Sequence, residues 1–267
     1  MLKVLIITTD EPFYIPITIK NLLKLNDKVN IEGIIILPPT SKKRKWRNII
    51  GEQLRFGLFY FLYMSIRFII YKIFAKAGIH IGRRYFSVES VAASYRIAFY
   101  KVNNINSTES INLIKNKSPD LLVSIAASQI FSKNVINIPK WGSINVHNAP
   151  LPKYQGLMPS FWALYHNEKE TATTVHYMTD KIDEGNIIFE KRIPIIQNDT
   201  LDSLIKKTKL LTVQALLESF DLFIKYNGKP PSRPINKNEA SYFSFPKRVD
   251  VIKFKKSGKK LLWKNIY

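Results

Sequence analysis

Apolar residues recur along this chain at two alternating periods. Residues 2–9 form a nearly unbroken β-branched run, residues 15–25 carry apolar positions at helical spacing (Ile15, Ile19, Leu22, Leu23), and residues 31–37 form a second apolar run closed by Pro38 and Pro39. Strand, helix, strand in that order predicts the right-handed βαβ start of a parallel sheet. The alternation returns after residue 105. A short helix is predicted over 110–116, a turn at Ser118, Pro119 and Asp120, and a strand over 121–125. The small residues Ala126, Ala127 and Ser128 then lead into a helix ending at Ile138. Residues 144–147 read as a strand end, 159–167 as an aromatic helix, 173–178 and 187–196 as strands, and 201–226 as a long helix. Strands alternating with helices in this way predict an α/β fold built on a parallel sheet.

Two stretches depart from the pattern. Residues 41–104 are predicted to be a helical insertion, opening with the basic cluster Ser-Lys-Lys-Arg-Lys-Trp-Arg at 41–47. Within it, residues 57–71 hold a single charge, Arg67, and these fifteen residues are fewer than the roughly 20 that cross a bilayer. Two readings of this helix compete: packing across the sheet, or resting on an anionic membrane beside the basic cluster. Nucleic-acid binding by the cluster ranks third, because no nucleic-acid fold accompanies it. The other departure is the tail, 227–267. It runs from a Pro-rich segment at 228–234 through the aromatic Ser-Tyr-Phe-Ser-Phe-Pro at 241–246 to a stretch, 247–264, with eight basic residues against Asp250.

Composition changes this picture in three ways. With 267 residues, 46% of them apolar, the chain can build one large domain with a small appendage, here 1–226 with 227–267. The absence of Cys excludes disulfides, a thiolate nucleophile and Cys-based zinc sites, and fits a reducing cytoplasm. The first apolar run is broken early by Asp10, Glu11 and Pro12, so it reads as a buried strand and not as a secretory leader. The net charge of +21 suits polyanionic partners, although Lys is abundant throughout the sequence.

Candidate chemistry concentrates in Ser-Ile-Asn-Val-His-Asn-Ala-Pro-Leu-Pro-Lys-Tyr-Gln-Gly at 143–156 and Asp-Lys-Ile-Asp-Glu-Gly at 180–185. Asn145 and His147 lie two apart on a strand end and so face the same side. An amide can donate to a developing oxyanion, an imidazole can move a proton, and Asp183 can orient the imidazole. His176 lies on the strand 173–178 and reads as structural or supporting. The turn after the first strand has no Gly and two carboxylates, so it is neither a dinucleotide fingerprint nor a phosphate cradle. No metal-ligand cluster is expected.

The order Asn-Val-His, Leu-Pro-Lys-Tyr-Gln-Gly, aromatic helix, Thr-Thr-Val-His-Tyr-Met and Ile-Asp-Glu-Gly-Asn-Ile-Ile resembles the folate-dependent formyltransferase family over residues 1–38 and 105–225. Within that family the sugar N-formyltransferases are most similar. The resemblance implies a Rossmann-like, parallel-sheet formyltransferase domain with a helical insertion and a short C-terminal extension. It also implies 10-formyltetrahydrofolate as co-substrate and Asn145, His147 and Asp183 as catalytic residues. Ile125, Ala126, Gln129, Ile130 and Asp183 are implied as folate contacts, with Lys153 and Tyr154 on the substrate side. The expected acceptor is the amine of a nucleotide-linked amino sugar for surface polysaccharide. Alternatives are a lipid-linked amino sugar, glycinamide ribonucleotide, methionyl-tRNA, hydrolysis of the formyl group, and a non-catalytic folate-binding module. The tail is too short for the barrel that methionyl-tRNA formyltransferases use to grip tRNA, so no nucleic-acid partner is expected. The expected setting is the cytoplasm or the inner face of its membrane, and a homodimer is left open.

Overall fold

The computed structural model describes residues 1–39, 46–82 and 84–262. In chain order the elements begin with β1 (Leu2–Thr9), α1 (Ile15–Leu25), β2 (Val29–Leu37), α2 (Trp46–Leu54), α3 (Leu58–Lys76), α4 (Val88–Ser94) and β3 (Phe99–Lys101). Next come α5 (Thr108–Lys117), β4 (Leu121–Ile125), α6 (Lys133–Ile136), β5 (Ser143–His147), β6 (Gln155–Gly156) and α7 (Pro159–Tyr165). The chain continues through β7 (Glu170–Tyr177), β8 (Ile187–Pro194), α8 (Leu201–Lys225), β9 (Tyr242–Phe243) and α9 (Arg248–Lys256).

Seven strands form the main sheet in the order β3-β2-β1-β4-β5-β7-β8. The strands from β3 to β5 pair in parallel. Side chains alternate across a strand, and a strand covered on both faces is apolar throughout. In β1, Val4 and Ile6 accordingly join one core with Ile15 and Leu22 of α1 and Val213 and Phe220 of α8. Leu5 and Ile7 face the opposite core, with Ile114 of α5 and Val135 of α6. The predicted parallel sheet needs one correction, because β7 runs antiparallel to β5 and β8 runs antiparallel to β7. They form a hairpin, and its connection carries Asp183.

The predicted insertion is also revised. Residues 99–101 lie within the stretch 41–104, yet they return to the sheet as the edge strand β3 beside β2. Three residues are too few to show a period. Of the basic cluster, residues 41–45 lie outside the described residues. Helix α3 does not cross the sheet: its inner side rests on the domain rim, where Phe68 and Tyr71 meet Phe13, and Tyr71 and Phe74 meet Phe86. None of its residues is buried.

The tail is no appendage. Strand β9 pairs with β6, and Phe243 stacks on Tyr154 and Trp162. Phe254 of α9 stacks on Phe161, and Phe245 meets Phe56 edge-on. Together with Val251 and Leu261 these rings form a second core that also takes in Ala149 and Tyr154 of the loop between β5 and β6.

The first turn closes the helix end that a phosphate would use. The Glu11 carboxylate accepts hydrogen bonds from the N–H groups of Phe13 at 2.7 Å, Tyr14 at 2.9 Å and Ile15 at 3.3 Å. These are the donors that bind anions at helix N-termini, and the protein satisfies them with its own side chain.

Candidate active site

Strand β5 ends with Asn145 half-buried and His147 buried, both on the side facing the β7–β8 connection. In the register of β5 with β7, Asn145 lies opposite His176 and His147 opposite Thr174. Directly opposed residues on neighbouring strands touch, so His176, read from the sequence as structural or supporting, lies against Asn145. Asp183 completes the group from the connection, in a left-handed backbone conformation with φ 54°. Its carbonyl accepts from Gln155 Nε2 at 2.9 Å, and its Oδ2 accepts from the Gly156 N–H at 3.0 Å.

The turn has room for this only because position 185 lacks a side chain. A Cβ on Gly185 would sit 1.8 Å from the Tyr177 carbonyl oxygen, well inside van der Waals contact. Gly185→Ala should therefore displace the 183–185 turn and reduce kcat by about tenfold or more while leaving the sheet intact, since a small misplacement of an orienting group is costly. Steady-state kinetics together with far-UV circular dichroism check this, and unchanged kcat would show that the turn tolerates the shift.

The three predicted catalytic residues are brought together. Asn145 Nδ2 lies 3.4 Å from Asp183 Oδ1 and 3.2 Å from His176 Nε2. His147 Nδ1 lies 3.4 Å from Asp183 Oδ2, and its Nε2 lies 2.7 Å from the Tyr154 carbonyl oxygen. A carbonyl oxygen only accepts, so Nε2 of His147 carries a hydrogen and Nδ1 is the nitrogen free to take up a proton. The same logic applies to His176, whose Nδ1 lies 2.8 Å from the Tyr177 carbonyl oxygen. Its Nε2 is then the acceptor for Asn145. Both amide hydrogens of Asn145 thus have partners, one on His176 and one on Asp183.

Electrostatics keep the pair His147 and Asp183 in complementary states. Burial pushes the His147 imidazole below its ordinary value, against the opposing pull of the Asp183 carboxylate and the Tyr154 carbonyl. For Asp183 burial acts upward, but contacts with His176, His147 and the Gly156 N–H together outweigh it and hold the carboxyl down to about 2. A neutral imidazole beside a permanent carboxylate is a base whose protonated form is stabilised as it forms.

The other predicted site residues are placed less uniformly. Ile125 is 1% exposed and belongs to the main core, so its side chain is not available to a ligand. Gln129 spends its amide on the backbone, accepting from Ile105 N–H and donating to the Asn103 carbonyl. Ala126, with φ 52°, turns the chain out of β4, and Ile130, four residues on, is exposed. Lys153 is exposed on the loop preceding β6. Tyr154 corrects the prediction: its hydroxyl donates to Glu168 at 2.6 Å and its ring stacks on Phe243, so the side chain points into the second core. Its contribution to the site is the carbonyl on His147. Gln155, within the quoted motif but given no role there, anchors the Asp183 backbone.

An amide, an imidazole and a carboxylate converging at the carboxyl end of a mostly parallel sheet define an α/β protein equipped for acyl-group chemistry. The chain belongs to the formyl transferase family, whose model matches residues 72–220, more than half of its length. The methionyl-tRNA formyltransferase of Staphylococcus aureus (strain JH1) is 32% identical over 175 residues, which are 65% of this chain and 56% of that protein. The bifunctional polymyxin resistance protein ArnA of Wigglesworthia glossinidia brevipalpis is 35% identical over 139 residues, or 52% of this chain and 21% of the relative. The chain therefore spans little more than half of the first relative's length and about a fifth of the second's. The fold also matches a solved N-formyltransferase from Helicobacter canadensis with a TM-score of 0.55 at 21% identity, covering 91% of this chain and 71% of that one.

Proposed function

We propose that this protein transfers the formyl group of 10-formyltetrahydrofolate to the amine of a nucleotide-linked amino sugar used in surface polysaccharide. The observation that carries the reading is the convergence of Asn145 Nδ2 and His147 Nδ1 on the Asp183 carboxylate, each 3.4 Å from the oxygen it faces. The folate is the formyl donor. In the reading, the neutral acceptor amine attacks the formyl carbon and forms the new C–N bond, and the carbonyl electron pair moves onto oxygen. Asn145 turns one N–H from its resting partners to that oxyanion. His147 Nδ1 takes the amine proton, with Asp183 balancing the imidazolium. When the oxyanion collapses, the bond from the formyl carbon to the folate nitrogen breaks, and His147 returns the proton to that nitrogen.

Two observations favour a sugar nucleotide. Glu11 fills the helix end where a phosphate on a smaller acceptor would otherwise sit, which leaves a nucleoside diphosphate to meet basic side chains elsewhere, Lys153 among them. The H. canadensis structure is described as a complex with folinic acid and dTDP-3-aminofucose. Formylation of methionyl-tRNA is the second reading, favoured by the identity to the S. aureus protein. Incubating the purified protein and 10-formyltetrahydrofolate with a panel of nucleotide amino sugars, lipid-linked amino sugars, glycinamide ribonucleotide and methionyl-tRNA separates these acceptors.

The pH dependence follows from the site. The base form of His147 is required, so kcat/KM falls as pH drops through its pKa, and burial puts that midpoint below the ordinary imidazole value of about 6.5. Asp183 stays ionised throughout, since its carboxyl titrates at about 2. Asp183→Asn removes a charge that raises the imidazole, so the acid limb should move to still lower pH as kcat falls. An acid limb at or above pH 6.5 in the wild type would contradict the assignment.

A further inference from the structure

We infer that the outer face of α3 docks on an anionic lipid bilayer surface. Leu58, Phe59, Leu62, Ile66, Ile69, Ile70 and Ile73 are all exposed, Phe59 at 81% and Ile66 and Ile73 at 57% each. At 3.6 residues per turn these seven positions fall within an arc of about 120°, so they form one continuous apolar stripe along the helix. Ile50 and Leu54 of α2 before it and Ile79 and Ile81 after it are exposed as well. A soluble domain rarely leaves a contiguous apolar surface of this kind uncovered.

The inner side of α3 fixes how it meets the bilayer. Besides its ring contacts with Phe13 and Phe86, Lys72 Nζ pairs with Asp10 at 2.5 Å, and the Arg67 guanidinium lies over the rings of Phe13, Tyr63 and Tyr71. The helix is held against the domain along this side, so the geometry is that of a helix lying in the interface plane and not of one crossing the membrane.

Charge selects lipid over a second copy of the chain. Between residues 41 and 84 the sequence has eleven basic residues and one acidic residue, Glu52. Cations stand at both ends of the stripe. Lys255 Nζ donates to the Phe56 carbonyl at 2.6 Å and Arg55 to the Pro246 carbonyl at 3.3 Å at one end, while Lys76 lies in the last turn of α3 and Arg84 over the Tyr71 ring at the other. Two molecules, each of net charge +21, repel one another. A surface of anionic headgroups attracts the same cations while its acyl region takes the stripe.

The test is co-sedimentation of the full chain with phosphatidylglycerol vesicles and with phosphatidylcholine vesicles. The expected result is binding to phosphatidylglycerol that weakens as salt is raised, and much weaker binding to phosphatidylcholine. The combined variant Ile66→Ser, Ile69→Ser and Ile73→Ser, whose thermal unfolding is compared with wild type, should lose about tenfold or more in partitioning. A second variant, Phe59→Trp, reports depth independently: its added emission should shift to the blue on vesicles and be quenched by brominated acyl chains. Absence of binding to phosphatidylglycerol at low salt, wild-type binding by the serine variant, or an unquenched tryptophan overturns the proposal. So does a lipid-free dimer in sedimentation velocity that the serine variant dissolves. None of these readouts depends on the acceptor.

Discussion

His147→Asn should lower kcat by at least about a hundredfold, the scale of losing a positioned general base. The imidazole faces the Asp183 carboxylate through the nitrogen that can gain and return a proton, and burial keeps it neutral and ready to do so. The shorter amide cannot take up the amine proton. The Tyr154 carbonyl, which accepts from Nε2 at 2.7 Å, also loses that partner, and an unsatisfied buried acceptor costs about 1–3 kcal/mol. Part of the effect can therefore appear as lower stability. Kinetics measured well below the unfolding midpoint separate the two, because instability lowers the amount of active protein but leaves the KM for folate unchanged. A fully folded His147→Asn protein turning over at the wild-type rate would remove His147 from the reaction.

Asn145→Ala should be nearly as damaging, with kcat reduced about 10²–10³-fold by the loss of one oxyanion donor. This substitution is milder for the fold. Asn145 is half-buried, and Asp183 keeps the Gly156 N–H and the Gln155 anchor when the amide is gone. The loss should fall on kcat while the KM values for folate and acceptor change little, the signature of an interaction made in the transition state. A matching rise in both KM values with kcat unchanged would identify Asn145 as a ground-state binding residue instead.

The sequence and the fold agree where the physics is local. The predominantly apolar runs of β1, β2 and β4 announce strands buried on both faces, and the two-residue spacing of Asn145 and His147 places both on one side of β5. Nonlocal pairing decides the rest. His176 reaches Asn145 only because β7 returns antiparallel with residues 145 and 176 in register, and no property of its own neighbours encodes that partner. Tyr154 looks like a substrate contact because it follows β5 closely in the chain, but Phe243 and Glu168, farther along the sequence, draw its side chain into the second core. The aromatic residues at 241–246 are conspicuous in the chain, yet their role in closing that core appears only when β9 pairs with β6. Gln129 reads as a cofactor residue until residues 103–105 are seen to claim its amide.

The most direct test of formyl transfer to an amino sugar is to follow 10-formyltetrahydrofolate consumption with nucleotide-linked amino sugars and to identify the products by mass spectrometry. An N-formylated sugar nucleotide formed in step with tetrahydrofolate is expected from the wild-type protein, and neither product above background from Asn145→Ala or His147→Asn. Efficient formylation of methionyl-tRNA with every amino sugar inert would contradict the acceptor, and release of formate without any formylated amine would contradict transfer itself.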